Sequence, residues 1–283
     1  LEPRGHHDMF GAFLTTPCNE EADFGVFFMD TGEYLNMCGH CTIGVVTGIL
    51  EGGLMEMHEP ETKVILDTPA GLIRTVAECK NGKVTGVRLI NVPSFVYKRD
   101  QKIKCGEKEI VYDICFGGSF FALVDTEKNF DRKVSVDNAK YLKEISGEML
   151  KELQKNVRVQ HPELDITTVD LVECYSSPET PDGNMRDMIA FGNAGDPQLD
   201  RSPGGTAMSA RMALMYANGE LKPGEEFTYE SFVGAKFNGK IVEETTVGDY
   251  KAIIAEVKGA AYLVGESVWY RDPDDELGKG FTI

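Results

Sequence analysis

Hydrophobic and polar positions change period several times along the chain, and each change predicts an element. Residues 24–29 form a short apolar run suited to a buried strand, followed by a turn at Asp30, Thr31 and Gly32. Residues 39–51 carry Ile43, Val45, Val46, Ile49 and Leu50 at helical spacing, and Gly52-Gly53 stop that helix. Strands are predicted at 64–66, 72–77 and 84–90, with Asn81-Gly82 as a hairpin turn. Residues 98–109, rich in Lys and Glu, read as a crossover between lobes. The apolar run 110–125 is interrupted by Gly117-Gly118, which marks a close backbone approach.

Tyr141, Leu142, Ile145, Met149, Leu150 and Leu153 line one face of a long helix over 137–155. Strands follow at 169–174 and 188–191, then a second helix at 205–217 ended by Gly219. Further strands are expected at 227–232, 240–247, 252–257 and 260–264, before a polar tail with an apolar end. Each half thus shows strands, a polar turn and a helix whose first turn is built from small residues. That repetition predicts a two-lobed α/β protein with a site where the lobes meet.

Composition narrows the partners. The chain has 283 residues and a formal net charge of −17, so nucleic acid and anionic membranes are not expected partners. No apolar run reaches the roughly 18 residues of a membrane span, and no secretory signal is visible. The chain starts at Leu1 rather than Met, which suggests that a preceding segment is missing or removed. Seven scattered cysteines suit a reducing, cytoplasmic setting. Cys38-Gly39-His40-Cys41 reads as C-x-x-C, yet no second knuckle completes a zinc site, and no metal is expected. Cys79, Cys105, Cys115 and Cys174 read as core thiols, and Trp269 as packing. His6, His7, His58 and His161 read as solvated.

Two segments carry chemistry. In the first, Cys38 sits at a helix entrance, where the dipole and unpaired amides favour a thiolate, and Gly39 allows close approach of a ligand. The alternative is a plain buried Cys on an amphipathic helix. In the second, Asp200-Arg201-Ser202-Pro203-Gly204-Gly205-Thr206 shapes a tight, amide-rich helix start suited to an anion, or simply a tight turn.

Met37-Cys38-Gly39-His40 followed by Thr42-Ile43-Gly44, together with Asp200-Arg201-Ser202-Pro203-x-Gly205-Thr206, resembles the two catalytic motifs of the proline racemase family. Residues 1–6, 116–122 and 219–224 extend the resemblance over nearly the whole chain. It implies a two-lobed α/β fold like that of diaminopimelate epimerase, without cofactor or metal, acting on proline or a hydroxyproline. The first lobe would comprise residues 1–107 plus 268–283, the second 108–267, and the protein would be a homodimer. Cys38 matches an acid/base, Gly39, His40, Gly205 and Thr206 match the holders of the substrate carboxylate, and His40 and Asp200 match residues near the ring nitrogen. Phe120 and Phe121 are expected beside the ring, one of them as simple core.

Gly204 stands where racemases and most epimerases carry a second Cys. Two-base racemisation therefore lacks a partner, unless a water or Cys41 supplies one. Dehydration of trans-3-hydroxy-L-proline needs one strong base and is favoured. The alternatives are a racemase or 2-epimerase, a degenerate proline-binding protein, and a redox or metal-binding protein using Cys38 and Cys41.

Overall fold

The computed structural model describes residues 9–30, 34–268 and 270–276. Residues 1–6, His7, the Thr31-Gly32 part of the expected turn, Trp269 and the end of the tail lie outside the described residues. The first part of the chain forms β1 (Gly11–Thr15), β2 (Phe24–Met29), β3 (Tyr34–Leu35), α1 (Gly39–Glu51), β4 (Glu61–Thr68), β5 (Gly71–Lys80) and β6 (Lys83–Ile90). Then come β7 (Ser94–Cys105), β8 (Lys108–Phe116), β9 (Phe120–Asp125), α2 (Thr126–Phe130), α3 (Val136–Asn156), β10 (Val169–Ser176), β11 (Met185–Phe191) and β12 (Gln198–Asp200). The last elements are α4 (Gly205–Asn218), β13 (Phe227–Ser231), β14 (Lys236–Val247) and β15 (Tyr250–Gly259).

Alternation sets the faces of the strands. Val64 and Leu66 of β4, with Ile73 and Ala77 of β5, point into the core while their neighbours face out. Asn81 and Gly82 both take positive φ (56° and 69°) and join β5 to β6, as their sequence predicts. Ser135 caps α3 by accepting from the Asn138 amide, and Gly219, at φ 75°, ends α4.

The strands run in the order β1-β2-β4-β5-β6-β15-β14-β13-β11-β10-β9-β8-β7, and β7 pairs back onto β15. The second half of this path therefore closes into a ring, against which α3 and α4 pack. α1 packs on β5, β6 and β15. One core gathers side chains from α1 and β2 to β6 with others from α4 and β13 to β15. A second is built around α3 and β7 to β11. α4 joins the first core through Met208 and Met212, and a third, smaller cluster through Ala207, Ala210 and Leu214.

Three expectations need correction. Residues 98–105 are not a crossover: they belong to β7, whose Lys102 and Lys104 alternate with inward Ile103 and Cys105. A strand with one wet face is as charge-rich as a linker. Residues 260–264 form no strand: β15 ends at Gly259, and its pairing with β6 stops at Gly259–Val87 although β6 itself runs back to Lys83. His161 is buried rather than solvated. Its ring lies 4.5 Å from that of Phe116 and 5.5 Å from that of Phe95, and Nδ1 accepts from the Glu163 and Leu164 amides. Burial lowers its pKa, so the neutral ring is the stable form. Cys79, Cys105, Cys115 and Cys174 are buried free thiols, as expected.

Candidate active site

Two helix starts meet at the site. Cys38 is the N-cap of α1, with extended φ/ψ (−140°, 114°), and Gly204 holds the same position on α4. Neither cap residue's side chain bonds to its helix, which leaves the amides of both first turns uncapped by side chains. The helix starts nearly touch. A Cβ on Gly39 would lie 2.7 Å from the Gly205 Cα, and one on Gly205 would lie 3.0 Å from the Gly39 Cα. Glycine at both positions is what permits this approach. Gly117 presses on the same helix, since its Cβ would lie 2.1 Å from the Thr206 carbonyl oxygen. The interrupted apolar run is thus the β8–β9 turn held against the start of α4.

Between the helix starts lies a small cavity of ≈ 30 Å³, room for about one or two waters. Cys38, Gly39, His40, Asp200, Gly204, Gly205 and Thr206 all line it. The structure therefore brings together every site residue expected from sequence. Phe121, Phe191, Leu171, Ile189 and Phe10 supply apolar walls. Phe120 points instead into the second core, so the Phe120-Phe121 pair divides as expected. Cys41 does not line this cavity. It lines a larger, open one of ≈ 580 Å³, which shares His40 and Asp200 with the first.

His40 organises the polar groups. Its Nδ1 lies 3.1 Å from Asp200 Oδ2, 3.0 Å from Ser202 Oγ and 3.7 Å from Cys38 Sγ. Burial disfavours a charged imidazole, but the Asp200 carboxylate and Cys38 outweigh it and hold the His40 pKa well above its ordinary value. Burial also pushes Asp200 up. The attraction of His40 and the hydrogen bonds from His40 and Ser202 reverse this and lower its pKa. Both shifts favour the imidazolium–carboxylate form of the pair.

The sequence favoured a thiolate at Cys38, and the closed site does not. Burial pushes the Cys38 thiol well above its ordinary value, Cys41 adds to the rise, and the attraction of His40 only partly offsets them. Desolvation is the largest cause of the rise. Of the groups that raise His40, Asp200 contributes most. Cys38, His40 and Cys41 offer ligand atoms within 4.8 Å of one another, a soft donor set that could take a metal ion.

Some wall residues carried no sequence signal. Ile189 reaches the cavity only because β11 pairs with β12, setting Ile189 opposite Asp200. Its Cδ1 lies 2.1 Å from where a Cβ on Gly204 would be, and Gly204 itself has φ 55°. Behind it lie two buried acids. Glu173, the register partner of Ile189, accepts from the Tyr229 hydroxyl, and burial raises its pKa to about 8. Asp187 has no hydrogen-bond partner for either side-chain oxygen among the described residues, and burial, Glu173 and Asp200 push its pKa well up. A Glu inside the apolar run Val172–Cys174 was the one available hint.

Comparison with known proteins identifies the family. A family model described as proline racemase matches residues 1–282. The proline racemase of Acetoanaerobium sticklandii is 46% identical over 285 residues, covering 100% of this chain and 84% of that protein. The trans-3-hydroxy-L-proline dehydratase of Bacillus cereus is 38% identical over 283 residues, covering 100% and 84%. A solved hydroxyproline epimerase from Agrobacterium vitis, with bound trans-4-hydroxy-L-proline, superposes with a TM-score of 0.90 at 34% identity, covering 100% of this chain and 80% of that one. With the fold, both motifs and the full length of the chain in agreement, the chain belongs to the proline racemase family.

Proposed function

We propose that the chain is a one-thiol enzyme of this family, with Cys38 removing the α-proton of a proline-like amino acid. The favoured reaction is dehydration of trans-3-hydroxy-L-proline. One observation carries it: Cys38 is the only thiol on the cavity among the described residues, and the tip of Ile189 occupies the space a side chain at 204 would need.

The chemistry follows from the ligand's stereochemistry. In trans-3-hydroxy-L-proline the carboxylate and hydroxyl lie on opposite ring faces, so the α-hydrogen and the hydroxyl share a face. A single group on that face can take the α-proton and hand it to the departing hydroxide. The Cα–H electron pair becomes the Cα–C3 double bond, water leaves, and the enamine tautomerises to a cyclic imine. The first-turn amides of Gly39, His40, Gly205 and Thr206 are suited to the carboxylate, where negative charge builds up as the proton leaves. The Asp200 carboxylate suits the protonated ring nitrogen, with His40 beside it. Burial is the largest cause raising the thiol, so parting the walls to admit substrate relieves it. The thiolate then forms in the open site beside the His40 cation, and closure carries it onto the substrate.

A second outcome, racemisation or 2-epimerisation, is supported by the greater identity to a proline racemase than to a dehydratase. The two-lobe division, homodimer assembly and a cytoplasmic location belong to the same proposal. Within it, β7 is assigned to the second lobe, because Phe95, Ile103 and Cys105 lie in the second core. The test is incubation with trans-3-hydroxy-L-proline and trapping of the cyclic imine, beside L-proline in deuterated water. Imine formation, with α-proton exchange of L-proline but no D-proline, is the expected result. D-proline from the wild-type chain overturns the one-thiol mechanism, and full activity in Cys38→Ser overturns the base.

A further inference from the structure

Proton transfer leaves one thiol at the site unused. Cys41 is the third residue of α1, whose N-cap is Cys38. On a helix of 1.5 Å rise and 2.3 Å radius, Cα atoms three residues apart are about 5 Å apart. A disulfide spans Cα separations of about 4.4–6.8 Å. The side chains also converge: the two sulfurs lie within 4.8 Å of one another. Their exposures differ in a useful way. Cys38 is buried, whereas Cys41 is half-buried and lines the open cavity on the other side of His40. A reagent too large for the inner cavity can therefore reach Cys41 first.

We infer that Cys38 and Cys41 form a reversible disulfide, a modification site whose oxidant is a low-molecular-weight disulfide such as oxidised glutathione. The Cys41 sulfur, as thiolate, attacks the oxidant and releases one thiol, leaving a mixed disulfide on Cys41. Cys38 then loses its proton, attacks the Cys41 sulfur and releases the second thiol. Two protein thiols and one small disulfide give one protein disulfide and two small thiols, so protons and electrons balance. A reducing dithiol reverses both steps. The His40 ring beside Cys38 favours the attacking thiolate in the second step. Oxidised Cys38 has no lone thiolate to accept a proton, so turnover stops.

Bond formation stands on the geometry alone, while the loss of turnover rests on Cys38 being the base. The whole chain, in a Cys18→Ser background that removes the exposed thiol, is equilibrated with EDTA in glutathione buffers of stepped oxidation, then alkylated and analysed by mass spectrometry. A species lacking two hydrogens, with Cys38 and Cys41 both protected from alkylation, is expected. Its abundance should track a fall in substrate turnover of about a hundredfold or more, restored by dithiothreitol. Cys41→Ser in the same background should give no such species and lose no activity under the same oxidation. Absence of the bond at every ratio, or equal inactivation of Cys41→Ser, overturns the inference. A bond that forms while turnover continues supports it and overturns Cys38 as the base.

Discussion

Placing a cysteine at position 204 is the obvious way to add a second acid/base, and the structure predicts that it fails alone. Its Cβ would lie 2.1 Å from Ile189 Cδ1 and 3.0 Å from the Ala207 Cβ, on a backbone with φ 55°. Overpacking of this kind costs about 1–3 kcal/mol. The left-handed backbone adds about 1–2 kcal/mol for a residue with a side chain. Gly204→Cys should therefore lose about 2–5 kcal/mol, as the sum of those two costs. Ile189→Val removes only the obstructing methyl and should cost about 0.5–1.5 kcal/mol. In the double variant the clash with Ile189 disappears while the Ala207 contact and the backbone cost stay, so a favourable coupling of about 1–2 kcal/mol is expected. Urea unfolding of the wild type, both single variants and the double variant measures this coupling. D-proline formation from L-proline then shows whether the new thiol works, and only the double variant should gain it. The reasoning is refuted if Gly204→Cys is as stable as the wild type, or if the two effects add within about 0.5 kcal/mol.

Other outcomes follow from the same geometry. In the ligand-free protein, alkylation of Cys38 by iodoacetamide should be slow at neutral pH and rise only above the ordinary thiol range, because burial raises its pKa; a fast neutral reaction contradicts this. Asp200→Asn removes the carboxylate that charges His40, so the His40 ring should titrate lower than in the wild type by NMR. Glu173 is raised in the fold to about 8 from an ordinary 4.5, so the stability tied to its protonation is complete below pH 4.5 and is lost as pH rises through 8. Glu173→Gln keeps a neutral group there, so its melting temperature relative to the wild type should increase between pH 5 and 8, by on the order of 3 kcal/mol in stability at pH 7. Gly39→Ala drives a methyl into the backbone of Gly205 and should cost about 1–3 kcal/mol, with a matching loss of substrate turnover.

Local rules reach far into this protein. Both functional helices start and stop where Gly, Cys and the apolar spacing place them, and the Asn81-Gly82 turn forms as its residues require. The cavity gathers both motifs. The misreadings share a cause. Charge-rich β7, the buried ring of His161 and the unpaired segment 260–264 depend on what lies alongside them, and a neighbour distant in sequence leaves no local periodicity.

The sequence by itself determined the family, the two motifs whose residues line one cavity and the absence of a side chain at Gly204. Tertiary structure decided the state of those residues. The resting thiol of Cys38 is neutral because closure around it removes water, a cost that no helix-start motif reveals. Ile189 fills the space at Gly204 because β11 and β12 pair in one register. Desolvation and steric exclusion are sums over everything within a few ångströms, and only the folded chain specifies what that includes.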